Sequence, residues 1–361
     1  MRRRHLFIFL ALVVLLVFAC RAIANIPLTP KNSLIVPTET PRPTSIGAFS
    51  VPADATGTPT PFQPGQISAI SNTFDSSVRP TPVHTPSWGD YPPPSVYSDV
   101  PIPPPVDLIP QPPGQINILL LGSDAIPEEG GFRTDSIMLI TLNTALGTAH
   151  ITSFPRDLYV YIPGWTVQRI NTALPKGGYE LLAATFEYNL GVYPDHFVML
   201  NFGGFIQGIN SLGGLDVEVA EPISDPWGSL PAGLIHMDGN TALWYVRSRY
   251  TTSDFDRARR QQQVLVEVFK KLISMDAVKR VPELFEIYRN SFITDLTLGE
   301  ITPLMGLASE LGNDTSKIEA YFIGPEQVTD YRVPSSGAQV LLPDYEAVLD
   351  VMRTALNAPP R

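Results

Sequence analysis

Proline decides where this chain can fold. More than half of its 37 prolines lie before Asn117, in company with Thr and Ser. Proline lacks an amide hydrogen and fixes its own φ, so runs such as Pro92-Pro93-Pro94 and Pro103-Pro104-Pro105 favour extended polyproline segments over a packed core. Residues 25–113 therefore read as a disordered spacer, with a glycosylated stalk as the alternative. Residues 114–358 read as the folded domain.

Ahead of the spacer, Arg2-Arg3-Arg4-His5 precedes an apolar run from Leu6 to Cys20. Basic residues before such a run mark an export signal or an anchor with its N-terminus inside. The run is short of the roughly 20 residues of a span, but a snorkelling Arg21 lets Ala22 and Ile23 extend it. An uncleaved anchor over residues 1–24 is the preferred reading. A signal cleaved after Ala22-Ile23-Ala24 comes second, and a lipoprotein signal ending at Cys20 third. All three put the domain outside the cytoplasm, as a single-pass protein of the cell membrane.

Composition narrows the function classes. A net charge of −10 argues against nucleic acid as a partner. The single cysteine, Cys20, excludes an internal disulfide, and the five histidines show no metal-ligand spacing.

Within the domain, Ile116-Asn117-Ile118-Leu119-Leu120-Leu121 is a strand of the buried type and ends at Gly122-Ser123-Asp124. Ser136 to Leu142 follows Arg133-Thr134-Asp135, and Thr148 to Ser153 ends at Phe154-Pro155-Arg156-Asp157. Charged residues thus cluster at three strand ends, where α/β proteins place their sites. Asp124 and Asp135 are candidate Mg²⁺ ligands, since hard cations take carboxylate oxygens and share them with phosphates. Arg133 and Arg156 are candidate phosphate contacts; loop salt bridges are the alternative.

The densest charge lies between Arg247 and Gln262, where five arginines, two aspartates and two glutamines share one run. Ala242 to Arg249 reads as a strand with Leu243, Tyr245, Arg247 and Arg249 on one face. Ser253 to Asp256 has the S-x-x-D form of a capping box and starts a helix running to about Met275. At about 100° per residue, Asp254, Arg257 and Gln261 fall on the apolar stripe of Val264, Leu265, Val268, Phe269 and Leu272. Arg259, Gln263, Glu267 and Lys270 fall opposite, with Arg260 at the border. Polar groups on a core-facing stripe need partners. Converging guanidiniums suit phosphate or pyrophosphate, whose oxygens their forks match. An internal Arg–Asp network at a helix start is the competing account.

Further along, helices are expected over 179–190, entered through Gly177-Gly178, and over 203–212, 278–288, 298–311 and 345–356. Strands are expected over 196–200 and 215–219. The class is α/β: an α-β-α layered domain with a central mixed sheet. No nucleophile elbow, P-loop or dinucleotide fingerprint is present.

Several of these motifs together resemble the LytR-CpsA-Psr family. They are Asn117-Ile118-Leu119-Leu120-Leu121-Gly122-Ser123-Asp124, Arg133-Thr134-Asp135-Ser136, Phe154-Pro155-Arg156-Asp157, and Arg247-Ser248-Arg249 with Asp254, Arg257 and Arg260-Gln261-Gln262. Leu212-Gly213-Gly214-Leu215-Asp216-Val217 and Met237-Asp238-Gly239-Asn240-Thr241-Ala242-Leu243 resemble its intervening motifs. The resemblance implies an extracytoplasmic transferase that moves a glycopolymer from a polyprenyl-pyrophosphate carrier to a peptidoglycan hydroxyl. The product is a phosphodiester, and polyprenyl phosphate is released. It implies Mg²⁺ on Asp124 and Asp135, pyrophosphate among Arg133, Arg156, Arg247, Arg249 and Arg257, and support from Asp254 and Gln261. Where the family usually has Lys before Ile-Asn, Arg169 stands here and keeps the charge. Asp135, Arg156 and Arg257 are the residues expected to act on the reacting phosphates. The alternatives are a non-catalytic envelope regulator and a pyrophosphatase acting on the same lipid.

Overall fold

The computed structural model describes residues 90–123, 134–250, 253–274 and 292–359. The readings made above for residues 1–24, Asp124, Arg133 and the helix at 278–288 lie outside them. Among the described residues no helix is long and apolar enough to cross a membrane.

In chain order the elements are β1 Gln115–Ser123, β2 Thr134–Asn143, β3 Thr148–Phe154, β4 Tyr159–Ile162, β5 Thr166–Arg169, α1 Ala173–Leu190, β6 His196–Asn201 and α2 Phe202–Ser211. Then follow β7 Leu215–Val219, β8 Ile223–Asp225, β9 Gly228–Leu230, β10 Gly233–Met237, α3 Gly239–Arg247 and α4 Asp254–Ser274. The remainder comprises β11 Phe292–Thr294, α5 Leu298–Ile301, α6 Met305–Asn313, β12 Ile318–Phe322, β13 Val328–Arg332, β14 Gln339–Pro343 and α7 Tyr345–Ala355. A six-stranded mixed sheet of order β11-β6-β1-β2-β3-β12 forms the middle layer. β1 runs parallel to β6 and antiparallel to β2, and β3 runs parallel to β12.

β1 is apolar from Ile118 to Leu121 because both its faces are covered. Ile118 and Leu120 point into a core shared with Ile209, Ala242, Val246, Val264 and Leu265. Leu119 and Leu121 point the other way, among Phe186, Leu190, Val348 and Met352. The alternation of side chains along a strand divides the run between these two cores, giving the expected α-β-α layering. Inside α1, Gly178 holds φ +71, a conformation open to glycine, and kinks the helix ahead of Tyr179.

Two expectations are corrected. The first is the strand at 242–249: the chain is helical over Gly239–Arg247. Asp238 caps this helix, its Oδ1 accepting from Thr241 N at 2.8 Å. Ala242, Tyr245 and Val246 are buried at helical spacing. A Cβ on Gly239 would stand 2.2 Å from Ile206 O, so only glycine lets α3 start this close to α2. The second concerns the spacer. Residues 90–113 pack along the domain, with Val106 N donating to Tyr188 O at 2.9 Å and Ile109 N to Gly191 O at 2.8 Å. Ile109 is buried, and Tyr91 meets the edge of Tyr188 with ring centroids 4.9 Å apart. Polyproline geometry leaves backbone groups free to bond a neighbour and side chains free to fill its grooves.

Candidate functional site

The site lies where the C-terminal ends of β1 and β6 and the start of β2 meet α3 and α4. A cavity of about 840 Å³ opens there. Its apolar walls come from Leu120, Met138, Leu200, Phe205, Leu243 and Leu265, and its polar end from Asp135, Arg247, Arg249, Arg257 and Gln261. A recess of about 20 Å³ adjoins that end and adds Arg156 and Asp254 to Asp135, Arg257 and Gln261.

α4 sets most of these positions. Its start is the expected capping box: Asp256 N donates to Ser253 Oγ at 3.1 Å, and Ser253 N donates to Asp256 Oδ2 at 3.0 Å. From this phase the Arg257 side chain turns inward with 9% of its surface exposed, while Arg259 turns outward, 66% exposed, to Asp256 at 2.9 Å. Arg260, placed at the border by the sequence, is buried. Its Nε donates to Tyr245 O at 2.8 Å and its Nη2 to Ser248 O. It therefore satisfies carbonyls at the end of α3 that a helix terminus leaves open. That end carries Arg247 and, just beyond, Arg249, so Arg260 fixes where those two stand. Arg247 rests over the Phe202 ring, its Cζ 4.1 Å from the centroid.

Asp254 lies among three arginines. Its Oδ1 is 3.4 Å from Arg249 Nη1, and its Oδ2 is 3.2 Å from Arg257 Nη2 and 3.9 Å from Arg156 Nε. Arg156 also donates to Asp135 Oδ1 at 2.5 Å. Burial lowers the pKa of Arg156, but Asp135, Asp157 and Asp254 outweigh it and hold the guanidinium above its usual range. Arg257 is pushed below its usual range, by burial first and then, against the pull of Asp254, by Arg249 and Arg156. The internal Arg–Asp network is thus present. It does not fully balance the cluster, because three carboxylates, Asp135, Asp225 and Asp254, line the cavity and its recess beside four guanidiniums. A guest anion is what such a surplus stabilises.

Gln261 joins α4 to β2, its Oε1 accepting from Ser136 Oγ at 3.0 Å. Gln262, quoted above only as part of a motif, is buried, with its Nε2 2.8 Å from Ser153 Oγ and 2.9 Å from Tyr321 O. Arg169 lines neither cavity nor recess. Its Nε lies 2.8 Å from Asp157 Oδ1 and its Nη2 donates to Gln339 O at 2.7 Å. Asp157, quoted above only as part of a motif and given no role, stands between Arg169 and Arg156, 3.4 Å from the latter. Its position directly after Arg156 was the available signal.

The profile of the LytR_cpsA_psr family matches residues 99–347. The chain belongs to the LytR_cpsA_psr family. Among relatives, Regulatory protein MsrR of Staphylococcus aureus (strain COL) is 35% identical over 187 residues, 51% of this chain and 57% of its own length. The polyisoprenyl-teichoic acid–peptidoglycan teichoic acid transferase TagU of Oceanobacillus iheyensis is 31% identical over 212 residues, 56% of this chain and 66% of its own length. The chain thus spans less than two thirds of either relative. Among solved structures, TagT bound to LIIa-WTA superposes with a TM-score of 0.56 at 28% identity, covering 68% of this chain and 91% of that one.

Proposed function

We propose that this protein is an extracytoplasmic, membrane-anchored phosphotransferase that moves a glycopolymer from a polyprenyl-pyrophosphate carrier to a peptidoglycan hydroxyl. The observation that carries the reading is the two-part cavity. An apolar chamber running into a cluster of arginines matches a donor that is hydrocarbon at one end and pyrophosphate at the other. The transferase name of TagU supports it, as does LcpB of Corynebacterium glutamicum, named a probable cell wall biosynthesis protein.

In this reading the acceptor oxygen bonds to the glycan-side phosphorus while the bond from that phosphorus to the bridging oxygen breaks. Polyprenyl phosphate leaves, and the hydroxyl proton passes to a base. Arg249 and Arg257 hold the phosphate oxygens, Arg247 caps the same end of the cavity, and Asp254 keeps the guanidiniums aimed. Preorganised charge of this kind is the main requirement of phosphoryl transfer.

Among the described residues no group of three or more His, Cys, Asp or Glu side chains is placed to hold a metal. Mg²⁺ nevertheless suits the donor set, because it commonly takes one or two carboxylates and completes its shell with waters and substrate phosphates. The Asp135 carboxylate, 36% exposed beside the arginines, would be one ligand, with Asp124 the expected second. Bound there, the ion would neutralise charge on the phosphate oxygens.

The test is to incubate the full chain with a glycan-bearing polyprenyl pyrophosphate, with and without peptidoglycan, and follow polyprenyl phosphate and wall-bound glycan. The reading predicts both products only when peptidoglycan is present. Release without peptidoglycan points to a pyrophosphatase, and lipid binding without turnover to the regulator that the name MsrR suggests.

A further inference from the structure

Two large rings stand exposed at the cavity. Trp227 is 82% exposed and Tyr250 is 73% exposed, yet both line the chamber that holds Arg247, Arg249 and Arg257. Isolated apolar residues on a surface are ordinary, but a tryptophan and a tyrosine left open at one cavity mouth are not.

The backbone of the tryptophan is also held in place. It occupies the turn of the β8–β9 hairpin, whose position rests on the Asp225 carboxylate. Asp225 Oδ1 accepts from Trp227 N at 2.9 Å, Gly228 N at 3.1 Å and Trp244 Nε1 at 2.8 Å. Its Oδ2 accepts from Ser248 Oγ at 2.7 Å. One side chain thereby ties the hairpin turn to the end of α3, between Arg247 and Arg249. The hairpin backbone at Trp227 is thus held relative to the arginine cluster, which places the base of its side chain at the cavity.

We propose that Trp227 and Tyr250 form a sugar-stacking subsite that receives the first sugar of the pyrophosphate-linked glycan. This rests on the function proposed above. A lipid whose tail fills the apolar chamber and whose phosphates reach Arg249 and Arg257 must place its next group at the mouth. Tyr250 follows Arg249 directly in the chain. The C–H face of a pyranose carries slight positive charge and packs on the negative face of an aromatic ring. Asn240, exposed on the same cavity, offers an amide to its hydroxyls. The chemistry favours a sugar over an anionic membrane surface, since the stretch leading to Trp227 exposes Asp216, Glu218 and Glu221.

The test is a pair of binding titrations on the full chain in detergent. One uses undecaprenyl pyrophosphate; the other uses the same lipid bearing one N-acetylglucosamine. Trp227→Ala should weaken the sugar-bearing lipid roughly tenfold more than the sugarless one, the loss of about one aromatic contact. Trp227→Phe should retain most of the affinity. An equal loss for both lipids, or no loss for either, overturns the subsite. So does a variant that loses only its association with phosphatidylglycerol vesicles. If the unaltered protein does not bind the sugarless pyrophosphate, the proposed function itself fails and takes the subsite with it.

Discussion

Arg156 donates through Nη1 to Asp135 Oδ1 across 2.5 Å, joining the loop after β3 to the start of β2. The pair puts a carboxylate and a guanidinium on the wall of one recess, where a metal and a phosphate would need them. Asp135→Asn keeps the shape and removes the charge. Turnover should fall on the order of 100-fold or more, as for one lost electrostatic partner of a developing charge, and its dependence on Mg²⁺ should disappear. Because Asp135 is more than a third exposed, its stability should change by about 1 kcal/mol at most. A Mg²⁺ titration of turnover beside a thermal melt checks both; an unchanged Mg²⁺ response would rule out Asp135 as a ligand.

The segment 90–113 should contribute to folding. A chain beginning at Gly114 gives up the bonds to Tyr188 and Gly191 and the burial of Ile109. Relative to one beginning at Asp90, it should unfold at a lower denaturant midpoint. Ile109→Ala alone should cost on the order of 2–5 kcal/mol. Coincident unfolding curves would return this stretch to the spacer.

Stability should vary with pH through His196. Its Nδ1 lies 3.2 Å from Asp295 Oδ2, and Nε2 is 4.0 Å from Glu300 Oε1. Burial lowers its pKa, but Asp295, Glu300 and Asp195 outweigh that and raise it above the ordinary value. A raised histidine pKa means the folded chain holds this proton more tightly than the unfolded chain does. The gain is complete below about pH 6.5, the unfolded value, and is lost as pH rises through the folded value. Denaturant melts of the protein and of His196→Gln across this range should diverge at low pH and converge at high pH. Parallel curves would show that the pair carries no such linkage.

Parts of this were legible in the sequence because they depend on near neighbours. The capping box at Ser253 and the stripe of α4 fixed the inward face of Arg257 without knowledge of any distant contact. The stretch 242–249 was misread because a short apolar run alternates by chance as readily as it turns. What decided it was the Asp238 cap and the approach of Ile206 to Gly239. Gln262 and Arg169 take their roles from partners far along the chain, Ser153 and Gln339, which no local pattern announces. The β8–β9 hairpin, with three residues to a strand, is too short for periodicity to register.

The most direct test of the account compares two arginines on opposite faces of α4. Arg257→Ala removes a buried guanidinium from the cavity, and Arg259→Ala removes one paired with Asp256 in solvent. The measurement is the rate at which each variant transfers glycan from a polyprenyl pyrophosphate to peptidoglycan. Arg257→Ala should lose on the order of 2–4 kcal/mol of transition-state stabilisation, roughly 30- to 1000-fold in rate. Arg257→Lys should recover only part of that, lacking the planar fork. Arg259→Ala should stay near the unaltered rate, because exposed pairs contribute about 0–1 kcal/mol. Equal losses in the two alanine variants, or a larger loss at Arg259, would contradict the assignment of this cavity as the transferase site.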